Sequence, residues 1–143
     1  MYCDSAYITK YYVYEIDSPA VREAMEQAAY VCSSAWAIVE VTSALHRHVR
    51  ERTMTSDQGL RIIDQFRSDV AEGLWNLLPL TEGLLRKTAT LYRTLPPNIP
   101  LRSGDALHVA TALDADEPEL WTNDRHLLAA ANHFGLIGRS ASR

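Results

Sequence analysis

Ser103-Gly104-Asp105-Ala106-Leu107-His108-Val109-Ala110-Thr111-Ala112, followed shortly by Glu119-Leu120-Trp121-Thr122-Asn123-Asp124, is the stretch that decides the fold. The first part is rich in small residues and predicts a helix over 103–113. The second predicts a short apolar strand over 119–122 that runs into a helix from Asp124 to Phe134, stopped by Gly135, with Leu136-Ile137 as a further strand. Helix, strand, helix and strand follow one another with no hairpin turn between strands. Strands in such an order pair in parallel, because each needs a crossover helix to return the chain.

The same alternation runs back to the N-terminus. Tyr2 to Asp4 reads as a strand and Ser5 to about Tyr14 as a helix. Ser18-Pro19 opens the next helix, with Ser18 as N-cap and Pro19 at the first helical position, continuing to about Ala28. Tyr30 to Cys32 reads as the second strand, and Ser33-Ser34 opens a helix over Ala35 to about Arg52. Thr55 or Ser56 caps a helix that carries Leu60, Ile63, Phe66 and Val70 on one side and stops at Gly73. Leu74 to Leu80 is the third strand, Thr81-Glu82 starts a helix through Leu91 and Leu95, and Pro96-Pro97-Asn98-Ile99-Pro100 is a loop. The expectation is an α/β domain: a parallel sheet of four to five short strands covered by helices on both faces, a three-layer sandwich filling residues 1–143 as one domain.

Composition agrees. A chain of 143 residues with 47% apolar and 22% charged residues has enough apolar material for one core and no room for a second ordinary domain. No apolar run approaches the roughly 18 residues that span a bilayer, and the first residues carry no basic-then-apolar leader, so the expected location is the cytoplasm, away from any membrane. Cys3 and Cys32 are too few for a disulfide framework or a zinc site and are expected as buried, reduced thiols. The net charge of -4 argues against broad adhesion to nucleic acid. It leaves room for a metal-dependent nuclease, whose ion-holding acids count as bare negative charges in that sum.

In a parallel sheet of this type the functional crevice lies beyond the carboxyl ends of the strands, which directs attention to four acids. Asp4 follows the first strand, Asp105 sits near the start of one helix and Asp124 at the start of another; taken singly, each is as well explained as a helix cap. Glu40 stands inside an apolar helical segment with Trp36 at i−4, Ser43 at i+3 and Ala44 at i+4, so no basic residue offers it an ion pair along the helix. Such a carboxylate is costly unless something cationic meets it. Jointly, four acids that can face one crevice are what a hard cation such as Mg2+ or Mn2+ requires. His46 and His48, two apart on a helix, face different ways and make no pair for metal-free chemistry. His108, His126 and His133 read as surface or packing residues, the Trp and Tyr residues as core and interface. Arg47, Arg50 and Arg52 read as dipole partners at a helix end, with contact to RNA phosphate the weaker reading.

Asp4-Ser5-Ala6-Tyr7-Ile8-Thr9-Lys10, the glutamate in Val39-Glu40-Val41-Thr42-Ser43-Ala44-Leu45, Asp105-Ala106-Leu107-His108-Val109-Ala110-Thr111-Ala112 and Thr122-Asn123-Asp124 occur in an order and spacing that resembles the PIN-domain ribonucleases, in particular the VapC-type toxins of toxin-antitoxin pairs. The resemblance runs from Tyr2 to about Leu136. It implies a PIN-like sandwich in which Asp4, Glu40, Asp105 and Asp124 hold one or two Mg2+ ions, with Mn2+ as a substitute, and act as the catalytic acids. The activity it implies is endoribonuclease hydrolysis by activated water, leaving a 3'-hydroxyl and a 5'-phosphate. The implied partners are an RNA substrate and a small cognate antitoxin, and a homodimer is compatible with it. Many relatives have Ser or Asn two residues after the first aspartate; here Ala6 stands there, and Ser5 and Thr122 supply the nearby hydroxyls. The rival reading is a non-catalytic PIN-like interaction domain whose aspartates are only caps.

Overall fold

The sheet is built from very short strands: β1 (Tyr2–Cys3), β2 (Cys32–Ser34), β3 (Asn76–Leu78), β4 (Glu119–Trp121) and β5 (Ile137–Arg139). In the computed structural model, which describes residues 1–141, all neighbouring strands pair in parallel in the order β3-β2-β1-β4-β5. Ser142 and Arg143, the end of the expected 1–143 domain, lie outside the described residues. Two or three residues suffice for β1 and β2 because they lie inside the sheet, buried throughout, and each side chain finds a core on one face or the other. On β1 the alternation is plain. Tyr2 belongs to one core, with Val109, Leu120 and Leu127, while Cys3 belongs to the other, with Tyr7, Val41 and Phe66.

The helices among the described residues are α1 (Ser5–Tyr12), α2 (Ser18–Gln27), α3 (Ala37–Arg50), α4 (Ser56–Ala71), α5 (Glu82–Leu91), α6 (Ser103–Asp114) and α7 (Arg125–His133). The Cys3 core packs α1 to α4 against one face; the Tyr2 core and a smaller one around Leu84 and Leu107 pack α5 to α7 against the other. The expected three-layer α/β sandwich is the observed one. The small residues of α6 have a physical reason. Every residue from Ala106 to Ala112 is buried, so the helix is covered on all sides, and small side chains let it approach both the sheet and α5. Thr55 caps α4 through a capping box with Gln58, Thr81 caps α5, and Gly73 and Gly135 take the positive φ that ends α4 and α7.

Several boundaries differ from expectation: the helix expected through Leu95 ends at Leu91, the last strand is Ile137–Arg139, and three further differences have a clear structural cause. The second strand lies at Cys32–Ser34, not Tyr30–Cys32, so Ser33 and Ser34 extend the sheet and do not open a helix. Their hydroxyls make this tolerable in a buried strand: Ser33 Oγ donates to the Cys3 carbonyl at 2.7 Å and Ser34 Oγ accepts from the Trp36 amide at 3.2 Å. Tyr30 instead stands half exposed and donates its hydroxyl to Glu117. The third strand shrinks to Asn76–Leu78, because Trp75 turns into the core and Pro79 cannot continue the ladder. Finally, Asp17 and not Ser18 is the residue before α2, while Ser18 Oγ ties the preceding turn by accepting from the Glu15 amide and donating to the Val13 carbonyl. Cys3 and Cys32 are buried free thiols, as expected.

The topology places the site. The chain builds outward from β1 through β2 to β3, then returns to the other side of β1 with β4 and β5. The strand order therefore reverses between β1 and β4, and at such a reversal the following loops part and leave a crevice. Asp4 directly follows β1, and Thr122-Asn123-Asp124 follow β4.

Candidate active site

Two of the four acids, Asp4 and Asp124, sit where local structure requires them. Asp4 is the N-cap of α1: Oδ1 accepts from the Tyr7 amide at 3.0 Å, and Oδ2 accepts from Thr122 Oγ1 at 2.5 Å. Asp124 is the N-cap of α7, and both of its helix bonds use one oxygen, Oδ1, from the His126 amide at 2.7 Å and the Leu127 amide at 3.3 Å. Its Oδ2 makes no hydrogen bond among the described residues, and the residue lines the crevice. Thr122 joins the two aspartates, since its hydroxyl donates to Asp4 and accepts from the Asp124 amide at 3.0 Å. Asp105 lies in the first turn of α6 but caps nothing. No hydrogen bond or ion pair reaches its half-buried carboxylate among the described residues.

Glu40, in the first turn of α3, has a hydrogen-bonding partner that its own helix does not provide. His108 Nε2 stands 2.8 Å from Glu40 Oε2, reaching across from α6. The Ser5 hydroxyl and the buried indole N–H of Trp36, which makes no hydrogen bond of full geometry, both lie close enough to favour the carboxylate charge. Gly104 keeps the place open: a Cβ there would stand 2.7 Å from Glu40 Oε1 and 3.4 Å from Trp36 Nε1. Missing side-chain bulk at Gly104 is thus what lets α6 and the Glu40 side chain meet.

The electrostatics divide the set. Burial pushes the Asp4 carboxyl up, and Glu40 adds to that, against the opposing pull of Thr122, His108 and the Tyr7 amide. Burial likewise raises Asp105, and the neighbouring charges of Asp124, Glu40 and Asp4 raise it further, against the opposing pull of His108. Burial also works against the Glu40 charge, but the His108 hydrogen bond and its attraction, with Ser5 and Trp36, outweigh it and hold Glu40 below the usual range. Four acids therefore share one electrostatic neighbourhood, with Asp105 the member that has no hydrogen bond or ion pair among the described residues.

A cleft of about 650 Å³ opens over Glu40 and Asp124. Ser5 and Ala6 line it beside α1, and Arg47, Arg50 and Arg102 reach its rim. None of these three arginines joins an ion pair among the described residues. Lys10, also in the lining, is committed to Asp17 and Glu15. His46 faces the cleft, whereas His48 turns to Thr53 and Glu15, so the two do diverge. Among the described residues no three His, Cys, Asp or Glu side chains stand at ion-holding spacing. The donor chemistry nonetheless suits a hard cation: the acids offer only oxygen, and the uncommitted Asp124 Oδ2 and unpartnered Asp105 are repelling negative charges that such an ion would draw together.

The expectation for His108 as a surface or packing residue is only half right. It is buried, at 1% exposed, but it is also bonded to a site carboxylate. A signal was available, since Asp105 and His108 are three apart on one helix and so share a face. Trp36 and Gly104 carried no such signal.

Parallel α/β topology, a strand-order reversal and acids at that reversal define a class of crevice-bearing sandwich proteins. Residues 1–132 match the family model of the PIN domain, and the chain belongs to that family. PIN domains are generally nucleases and typically use divalent metal ions. No curated protein matches the chain.

Proposed function

We propose that this cleft is the active site of a divalent-cation-dependent endoribonuclease, that Asp4, Glu40, Asp105 and Asp124 hold Mg2+ or Mn2+ there, and that residues 1–143 act as one PIN domain. The observation that carries this reading is Asp105: a half-buried carboxylate, raised by burial and by three other acids, with no protein partner. Burying part of a carboxylate without a cap or an ion pair is costly unless a cation meets it. A bound ion would supply acidity to a water and positive charge to the phosphoryl oxygens. The protein's own share is geometric. Thr122 holds Asp4 and the Asp124 backbone in register, His108 holds Glu40, and the α7 amides occupy Asp124 Oδ1 and leave Oδ2 uncommitted among the described residues.

RNA is the substrate class that the rim suits. Arg47, Arg50 and Arg102 are unpaired cations beside acids, a placement that seats the phosphates on either side of the one being cut. The chain is further proposed to be a VapC-type toxin of the cytoplasm, silenced by a small antitoxin. The exposed Ile38 and Val39 on α3, next to the cleft, support a protein partner at that edge. No helix among the described residues is long and apolar enough to cross a membrane.

The deciding experiment is RNA cleavage by the purified chain. Cleavage is expected with Mg2+ or Mn2+ and not in excess EDTA, and Asp4→Asn purified in parallel is expected to be inert. Activity that persists in EDTA and is absent from the Asp4→Asn preparation removes the metal reading. A chain without activity under any ion, with its antitoxin removed, favours the interaction-domain reading.

Binding gives a second measurement. In EDTA, the double variant Arg47→Gln/Arg50→Gln is expected to flatten the slope of log K for single-stranded RNA against log salt by about 1.4, two contacts at about 0.7 each. An unchanged slope would mean that these arginines serve only the end of α3.

A further inference from the structure

The two ring nitrogens of His108 are both engaged, and at 1% exposure no water competes for them. Nε2 meets Glu40 Oε2 at 2.8 Å, and Nδ1 meets the Tyr2 hydroxyl at 3.0 Å. An ionised carboxylate can only accept, so Nε2 carries the proton that faces Glu40. In the neutral ring Nδ1 is then an acceptor, and the Tyr2 hydroxyl donates to it. Tyr2 is well suited to impose this order. It is fully buried on β1, the central strand, which pairs with both β2 and β4. Its ring packs edge-on against the imidazole, with centroids 6.0 Å apart.

The chain of bonds crosses the carboxyl edge of the sheet. Tyr2 belongs to the core under α6 and α7, His108 to α6, and Glu40 to α3 in the opposite helical layer. Glu40 is otherwise a long side chain at a cleft wall with freely turning bonds. A donor anchored in the sheet removes that freedom and leaves Oε1, the oxygen beside Gly104, as the one without a hydrogen bond from the imidazole.

We propose that His108, oriented by the Tyr2 hydroxyl, is a positioning residue that fixes the Glu40 carboxylate for cation binding. This rests on the reading of Glu40 as a member of the metal site. A histidine that only fills the core would affect stability and leave cation affinity alone; a positioning histidine sets the affinity of a folded protein.

The test is Mn2+ affinity, measured by calorimetry on the full chain for variants whose circular dichroism matches the wild type, together with nitrogen-15 NMR of the imidazole. His108→Leu is expected to weaken Mn2+ binding by about 10- to 100-fold, the range for groups one step removed from a metal. His108→Gln, whose amide can donate from near the place of Nε2, is expected to restore most of that loss. In the wild type the NMR spectrum should show the Nε2–H tautomer, and Tyr2→Phe should mix in the Nδ1–H form and weaken Mn2+ binding. If Glu40→Gln weakens Mn2+ binding while His108→Leu leaves it unchanged, the positioning role is overturned and the proposed metal site stands. If Glu40→Gln also binds Mn2+ as the wild type does, the metal site falls with it. Should His108→Leu fail to fold, the tautomer decides: an Nδ1–H ring in the wild type overturns the inference.

Discussion

Asp124→Ser is expected to lose at least about 100-fold in RNA cleavage, the upper end of what even a group one step removed from a metal costs, while the fold and the ion-free melting temperature stay almost unchanged. The two carboxylate oxygens make this separation possible. Oδ1 alone satisfies the His126 and Leu127 amides, and Oδ2 has no hydrogen-bond partner among the described residues. Serine is about as good an N-cap as aspartate, so exchanging them costs only a few tenths of a kcal/mol if capping is all that matters. Serine is also uncharged and has no second oxygen to offer a cation. Glu40→Gln runs in parallel: it preserves shape, keeps an acceptor for His108 and removes the charge. Thermal melts and single-turnover cleavage of the same preparations check both variants. Wild-type cleavage rates in both would make Asp124 and Glu40 structural and remove them from the catalytic set.

Asp105→Asn should act in the opposite sense on stability. Without an ion, Asp105 has no partner and stands near three other carboxylates, so at neutral pH its charge works against the folded state. Removing that charge should raise the ion-free melting temperature, by roughly 3 to 5 °C for each kcal/mol of repulsion relieved. Mn2+ at 100 times its dissociation constant should stabilise the wild type by about 2.7 kcal/mol, and Asp105→Asn by clearly less at the same concentration.

The pH dependence follows from the direction of each shift. Asp105 and Asp4 are raised above their ordinary value of 3.8, so in the folded state they bind protons that the unfolded chain has released. Their contribution is fully present below 3.8 and is lost as pH rises through their folded values. Glu40 is lowered from 4.5, so its contribution is present above 4.5 and is lost as pH falls through its folded value. On acidification from neutral, the ion-free protein should gain stability as Asp105 and Asp4 take up protons, then lose the Glu40 contribution below 4.5. Denaturant melts across this range should show the first gain diminished in Asp105→Asn. A wild type whose melting temperature ignores both Mn2+ and this acidification has no cluster of repelling acids.

The alternation of short apolar runs with capped helices was enough to determine a parallel sheet with helices on both faces, because hydrophobic period, caps and turn glycines are local properties of the chain. Asp4 and Asp124 were legible as acids at helix starts after strands, and Glu40 as a charge without a helical partner. Local signals failed at Ser33-Ser34, where two hydroxyls that would open a helix elsewhere are satisfied by Cys3 and Trp36 inside the sheet. They failed again at His108. Its neighbours in sequence are apolar and its partners are 68 and 106 residues away, so neither Glu40 nor Tyr2 could be assigned to it from spacing. Tertiary structure alone decided which oxygens of Asp4 and Asp124 are committed to caps, that Gly104 makes room for Glu40, and that Asp105 is the acid left without a partner. Each of these depends on atoms brought together across the carboxyl edge of the sheet by the reversal between β1 and β4, and distance along the chain carries no record of that meeting.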